Sequence, residues 1–270
     1  MDEHIDEHIK VPELLTDKVV VVSGVGAGLG RTLAVRCAEA GADVVLAART
    51  SSYLDEVAKA VEETGRRALA VPTDITDQAA AEALVAATLD RFGRVDALIN
   101  NALVEPPHTE LNDTATEDIR PSMEVGVYAA LRLSKLFTPA LRDSRGSIVM
   151  INSSVLRHSK RACGAYKIAK AGLLAAAQVL ATELGPQGIR VNTVAPGPMW
   201  TEKVKEFIGG LAEMRGMSLE EGYREVAADM DLRRLQTPEE TADVVIFLAS
   251  DLARAVTGHC LDVNCGEYHH

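Results

Sequence analysis

Lys18-Val19-Val20-Val21-Val22-Ser23-Gly24-Val25-Gly26-Ala27-Gly28-Leu29-Gly30 is the stretch that decides the fold. Its first five residues are an apolar, β-branched run, which reads as a buried strand. Glycines follow at 24, 26, 28 and 30, and Arg31 to Ala40 then reads as helix. Strand, glycine turn and helix together are the context a dinucleotide needs. Glycines let the backbone approach a pyrophosphate, and a helix N-terminus stabilises its charge. The GxGxxG spacing fits from neither Gly24 nor Gly26; GxxxGxG fits over Gly24, Gly28 and Gly30.

Outward from this turn, strand-like and helix-like segments alternate. Strands are expected near 18–22, 43–47, 67–71, 95–99, 147–152, 189–194 and 260–263. Such alternation argues a parallel sheet with helices on both faces. The chain has 270 residues and is 47% hydrophobic, enough for one large core. There is no internal repeat and no long Pro/Gly/Ser linker, so 18–270 is read as a single domain. Residues 1–17 stand apart as an acidic N-terminal extension. It carries the tandem Asp2-Glu3-His4-Ile5 and Asp6-Glu7-His8-Ile9. His4 and His8 would share a helix face, but an acidic tail is the favoured reading and no metal is expected. His269 and His270 are given no chemistry.

The net charge of −11 argues against generic nucleic-acid or anionic-membrane binding. No apolar run is expected to span a bilayer, and the N-terminus lacks the pattern of an export signal, so a cytoplasmic location is expected. The four cysteines, at 37, 163, 260 and 265, show no CxxC pairing and are read as reduced thiols.

The chemistry is carried by Tyr166-Lys167-Ile168-Ala169-Lys170, in a stretch from Ala165 to Leu184 that reads as helix. Residues i and i+4 share a helix face, so the Lys170 ammonium can lie beside the Tyr166 phenol. An adjacent cation favours the phenolate and would tune the phenol toward neutrality. Such a group can pass a proton to or from an alcohol oxygen.

With GxxxGxG and YxxxK in hand, the chain resembles the short-chain dehydrogenase/reductase family. Landmarks run from about residue 16 to 266. They include Thr73-Asp74-Ile75, the Asn100-Asn101-Ala102 turn, Ser147 to Ser154, Ile189 to Asn192, and Pro196-Gly197-Pro198-Met199-Trp200-Thr201. The resemblance implies a doubly wound Rossmann fold with seven parallel strands in the order 3-2-1-4-5-6-7. It implies hydride transfer between a nicotinamide and a carbonyl or alcohol carbon. Tyr166 would be the general acid/base, and Lys170 would hold the phenol and the nicotinamide ribose. The implied cofactor contacts are Gly24, Gly28, Leu29, Gly30, Arg49, Asp74, Ile75, Asn101, Ala102, Tyr166, Lys170, Pro196, Gly197, Met199 and Thr201. A homotetramer through the helices holding Lys135 and Tyr166 is also implied.

The catalytic serine is either Ser153 or Ser154. Counting back from Tyr166 by the common family interval gives Ser153. Aligning on the strand gives Ser154, which is preferred because strand registry is set by alternation. Two departures from the family stand out. Gly126 occupies the place of a supporting Asn, so a water relay near Lys170 is in doubt unless the helix bulges. Leu103 replaces the glycine that usually closes the Asn-Asn-Ala turn.

The second strand ends at Ala48 and Arg49, without the acidic residue that would bond the ribose hydroxyls. A guanidinium suits a 2′-phosphate, so NADP is favoured over NAD. Residues 200–230 read as a lid, and Trp200, Phe207, Leu211, Met214, Met217, Tyr223 and Met230 could line an apolar pocket or equally be ordinary amphipathic helix contacts. The basic loop Arg157-His158-Ser159-Lys160-Arg161 could draw an anionic substrate, though a solvated loop or a subunit salt bridge is the favoured reading. The preferred substrate is a bulky apolar alcohol or ketone. The alternative to an alcohol dehydrogenase/carbonyl reductase is a catalytically weak NAD(P)-binding scaffold or sensor. Enoyl-thioester reduction is disfavoured by the short Tyr-to-Lys interval.

Overall fold

The computed structural model describes residues 12–269, so the tandem acidic repeat, His4, His8 and His270 lie outside the described residues. Seven strands form one sheet: β1 (Val19–Ser23), β2 (Asp43–Ala48), β3 (Ala68–Pro72), β4 (Ala97–Asn100), β5 (Ser147–Ile151), β6 (Arg190–Pro196) and β7 (Cys260–Val263). Their order is β3-β2-β1-β4-β5-β6-β7, and every pairing is parallel. This is the doubly wound order expected from the sequence, with each strand within about two residues of its expected place.

Side-chain alternation divides the core into two layers. Val20, Val22, Val44, Leu46 and Ile99 pack on one face against α1 (Leu29–Glu39), α2 (Ser51–Glu63) and α9 (Pro238–Ala249). Val19, Val21, Val45, Leu98, Ile148 and Met150 pack on the other face. There they meet α3 (Gln78–Phe92), α5 (Ala130–Ser144) and α6 (Gly164–Leu184). Local signals set the helix ends. Asp77 caps α3 by accepting from the Ala80 N–H, and Gly93 closes it at φ 71°. Thr237 and Glu240 form a capping box on α9, with Pro238 inside its first turn. The remaining helices are α4 (Thr116–Met123) and the pair that follows β6, α7 (Glu202–Met214) and α8 (Leu219–Ala227).

The segment Glu124–Ala129, between α4 and α5, is wound as a π-helix. Gly126 lies within it, so the helix does bulge at the position where the family Asn was expected. A wider turn of this kind often marks a functional position.

One sequence expectation is corrected here. The stretch Gly164–Gln187 is long and apolar enough, by length and composition, to cross a bilayer. It is apolar because it packs within the domain, burying Ala169, Leu173, Ala177, Leu180 and Leu184. The four cysteines are free thiols.

A Cβ built on Gly126 meets no atom within 4 Å beyond its own helix. Gly126→Ala is therefore expected to gain about 0.5–1 kcal/mol of stability through lost chain entropy in the unfolded state. Urea denaturation would measure it; a loss of stability would mean that the bulge itself requires glycine.

Candidate active site

The glycine turn is built from two kinds of glycine. Gly24 and Gly30 are there because nothing else fits. A Cβ on Gly24 would sit 2.4 Å from the Ala102 backbone, and one on Gly30 would sit 2.4 Å from the Gly24 carbonyl oxygen. The Asn101 Nδ2 donates to that same carbonyl at 2.8 Å, tying the turn after β4 to the turn after β1. Gly28 is different. Its φ is 89°, and its Cβ position faces open space, with Thr201 Cγ2 the nearest atom at 4.0 Å. The glycine turn and the loop after β6 thus face each other across a gap. Helix α1 opens on this gap with no capping side chain and no acidic residue in its first turn. That helix start, without a capping side chain, and that open cradle fit the pyrophosphate of a dinucleotide.

At the adenosine end, Arg49 is exposed just beyond β2. Asp74 accepts from the Thr76 hydroxyl at 2.7 Å and the Thr76 N–H at 2.9 Å. These two bonds hold its carboxyl below the usual range, and the charge of Arg49 adds to the effect. Ile75 is buried beside it. At the other end, Pro196 closes β6, the Gly197 N–H donates to Val263 O at 2.9 Å, and Met199 bridges to Gln236. Thr201 caps α7 by accepting from the Val204 N–H.

Tyr166 and Lys170 lie one turn apart on α6, with the ammonium 5.6 Å from the phenol ring centre. Lys170 is buried, and its Nζ donates to Ile151 O at 2.8 Å. Asn152 Nδ2 donates back to Lys170 O at 3.0 Å. The end of β5 and the start of α6 are thereby fastened in both directions. Burial pulls the Lys170 ammonium down to about 8. Burial pushes the Tyr166 phenol up to about 12, a hydrogen bond with Ser153 opposes that rise, and the negative charge of Glu105 adds to it. Desolvation dominates at the phenol, and the Lys170 Nζ is turned to a backbone carbonyl.

The serine hydrogen-bonded to the phenol is Ser153, whereas the sequence reading preferred Ser154. Strand β5 ends at Ile151, so strand alternation no longer governs residues 152–154. Ser153 is extended, with φ −165° and ψ 151°, and Ser154 begins a 3-10 turn. Ser154 is buried and donates to Glu267 Oε2 at 3.3 Å.

The lid accounts for most of its own apolar residues. Met230 and Ile208 form a small core with Trp200, Val204 and Tyr223. Trp200 and Tyr223 meet edge-to-face at 4.6 Å. Phe207, Leu211 and Met214 face solvent, Met214 with 85% of its surface exposed. The lid is joined to the loop after β4 by Lys203 Nζ and Glu105 Oε2 at 2.5 Å. The basic loop is consumed as well: Arg157 pairs with Asp262, Lys160 with Glu267 and Arg161 with Glu110. A cavity of about 510 Å³ beside this loop is lined by Lys167, Ile168 and Ala171, not by Tyr166 or Lys170, so it lies off the catalytic face of α6. Leu103 is exposed and takes no left-handed backbone.

Sequence reasoning missed Glu267 and Glu105. Neither lies in a motif; Glu267 is 113 residues from the serine it bonds.

A family model described as enoyl-(acyl carrier protein) reductase matches residues 24–268. The chain is 36% identical over 256 residues to the short chain dehydrogenase/reductase astE of Aspergillus oryzae, across 93% of this chain and 95% of that protein. It is 36% identical over 265 residues to the L-rhamnose 1-dehydrogenase (NAD(P)(+)) of Azotobacter vinelandii, across 94% and 97%. Its fold matches the L-sorbose reductase of Gluconobacter frateurii, solved with NADPH and L-sorbose. The TM-score is 0.87 at 29% identity, covering 96% of this chain and 98% of that one.

The depressed Lys170 fixes the sign of one pH effect. Between about pH 8 and 10.5 the unfolded lysine holds a proton that the folded one has released, so stability rises with pH in that window. Lys170→Met removes the dependence. The stability of wild type relative to Lys170→Met is expected to climb from pH 8 to 10.5, by at most about 1.4 kcal/mol per pH unit. Paired denaturation curves at four pH values would show it, and a flat difference would contradict the buried ammonium.

Proposed function

The chain belongs to the short-chain dehydrogenase/reductase family of oxidoreductases, and from that membership we propose that it moves a hydride between a nicotinamide and a secondary alcohol or ketone carbon. The observation that carries this reading is the cluster of Ser153, Tyr166 and Lys170 at the end of β5 and the start of α6. The nicotinamide supplies the hydride chemistry; the residues manage the proton and the orientation. A phenol held in its neutral form donates its proton to a ketone oxygen as that oxygen gains charge. In the reverse direction it takes the proton back. The Ser153 hydroxyl donates to the same oxygen and stabilises its developing charge. Lys170 places an ammonium beside the phenol and would bond the cofactor ribose.

The open cradle at Gly28, the uncapped start of α1 and the Asn101–Gly24 tie support a bound dinucleotide. Arg49, exposed where an acidic residue would exclude a 2′-phosphate, supports NADP over NAD. Asp74 and Ile75 would hold the adenine end; Pro196, Gly197, Met199 and Thr201 would hold the nicotinamide end. The bulky apolar substrate is dropped from this reading, because the lid's apolar residues are either packed on each other or exposed. Apolar surface at Tyr128, Ile168 and Val179, on and beside α5 and α6, supports assembly into a homotetramer through those helices. A second reading, enoyl-thioester reduction, follows from the description of the matching family model. The four-residue step from Tyr166 to Lys170 speaks for the carbonyl reaction.

Fluorescence titration with NADPH and NADH, followed by turnover on a panel of alcohols, ketones and one enoyl thioester, tests the proposal. NADPH is expected to bind more tightly, and Arg49→Ala to weaken it by about tenfold while leaving NADH unchanged. Tyr166→Phe is expected to abolish ketone reduction, and Ser153→Ala to lower kcat by about 100- to 1000-fold, against less than about tenfold for Ser154→Ala. Turnover of the thioester alone would replace the carbonyl reading. Cofactor binding without any turnover would favour a scaffold.

A further inference from the structure

The reaction proposed above uses Ser153, Tyr166 and Lys170, yet a buried carboxylate also stands at this site. Glu267 lies in the segment after β7, and its side chain is only 6% exposed. Its Oε2 accepts from Ser154 Oγ at 3.3 Å, directly beside the serine that meets the phenol. The same oxygen would lie 3.3 Å from a Cβ on Gly197, in the turn expected at the nicotinamide end. Its Oε1 receives Lys160 Nζ at 3.3 Å. Three segments far apart in the chain therefore converge to bring this acid to the catalytic end: the loop after β5, the turn after β6 and the C-terminal segment.

The segment is built to stay there. Gly266 takes φ 83° against Asp231, where a Cβ would meet that side chain at 2.7 Å. The Leu232 N–H donates to Cys265 O at 3.0 Å, Asn264 Nδ2 donates to Tyr268 O at 3.2 Å, and His269 meets Asp231 at 2.8 Å. Tyr268 stacks at a tilt on His158, their rings 5.5 Å apart, and shares hydrogen bonds with Lys160 and Glu267. The surroundings of Ser154 are thus polar: Glu267, Lys160, Tyr268 and His158.

A carboxylate removed from water must be hydrogen-bonded or it costs several kcal/mol. Glu267 keeps one acceptor position open. Ser154 and Lys160 meet it at 3.3 Å each and Tyr268 supplies a third hydrogen bond, while a carboxylate offers about four acceptor sites. Lys160 retains 57% of its side-chain exposure, so it neutralises the acid only in part. Acceptor capacity beside a reacting alcohol calls for an O–H donor. An apolar substrate would leave the capacity unfilled, and an anionic one would meet like charge.

Building on the hydride-transfer reading, we propose that Glu267 is a specificity-determining residue that accepts a hydrogen bond from a substrate hydroxyl next to the reacting carbon. The substrates are then neutral polyhydroxylated compounds, sugars, polyols or hydroxyketones, and not simple apolar alcohols. Sites built to bond a substrate hydroxyl reject the analogue lacking it strongly, because their own polar groups go unpaired.

The test compares 1,2-cyclohexanediol with cyclohexanol, following cofactor reduction by wild type, Glu267→Gln and Tyr166→Phe. Wild type is expected to favour the diol in kcat/KM by at least about 100-fold. Glu267→Gln, nearly isosteric, is expected to erase most of that preference by slowing the diol while leaving cyclohexanol within about threefold. Wild type with no preference would overturn the proposal without the variant. Equal losses on both alcohols in Glu267→Gln would also overturn it, since they would mark a purely structural role. Preference for an α-hydroxy acid over the diol would assign recognition to Lys160 instead. Turnover of neither alcohol, or turnover untouched by Tyr166→Phe, would remove the hydride-transfer reading and this proposal with it. A diol-selective wild type whose selectivity survives in Glu267→Gln would remove this proposal alone.

Discussion

The Lys170 ammonium is buried, and a backbone carbonyl receives it. That contact, Nζ to Ile151 O at 2.8 Å, fixes where the end of β5 stands relative to α6. The Asn152 bond to Lys170 O returns the constraint from the other side. Together they set the direction in which residues 152–154 leave the sheet, and so which serine reaches the phenol. Burying a cation this way is costly, and the cost shows as the fall of its pKa to about 8. A site is worth such a cost where the charge has a task, and here the face it serves is the one that presents Tyr166.

The two members of the Tyr-Lys pair are displaced in opposite directions, the phenol upward and the ammonium downward. Desolvation penalises the charged form of each, so the same dry environment keeps the phenol protonated and loosens the lysine proton. A neutral phenol suits donation to a ketone oxygen. The site is therefore arranged around hydrogen-bond donors, Ser153 and Tyr166, with its negative charge held at Glu105 and Glu267 on the borders. Both of those carboxylates are tied by lysines, Lys203 from the lid and Lys160 from the loop after β5. The lid and the C-terminal segment are thus fastened to the catalytic end by ion pairs that straddle the site.

What the sequence made legible was local. A β-branched run before a glycine turn fixes a strand, a phosphate cradle and a helix within about a dozen residues, and YxxxK fixes a shared helix face by spacing alone. The strand order followed from the family resemblance, and the two layers of the core follow from alternation along each strand. Between Ser153 and Ser154 the sequence offered strand alternation and loop length as competing guides; β5 stops at Ile151, so alternation reaches neither serine. Glu267 was invisible for another reason: its partners, Ser154, Lys160 and Gly197, come from segments brought together only by the fold. The lid residues left two readings open, pocket lining and ordinary helix packing, because amphipathic spacing does not say which apolar body a helix faces. Here Trp200, Tyr223 and Met230 face one another. The bulge at Gly126 was anticipated only as an alternative; glycine and a π-turn coincide there.

The most direct measurement is isotope transfer. The protein would be incubated with NADPH carrying deuterium at C4 of the nicotinamide, with 2-hydroxycyclohexanone as acceptor. Mass spectrometry would then locate the label in the product. The account expects one deuterium on the new carbinol carbon with wild type and none with Tyr166→Phe. A cofactor that binds but transfers no label, or equal transfer by Tyr166→Phe, would contradict it.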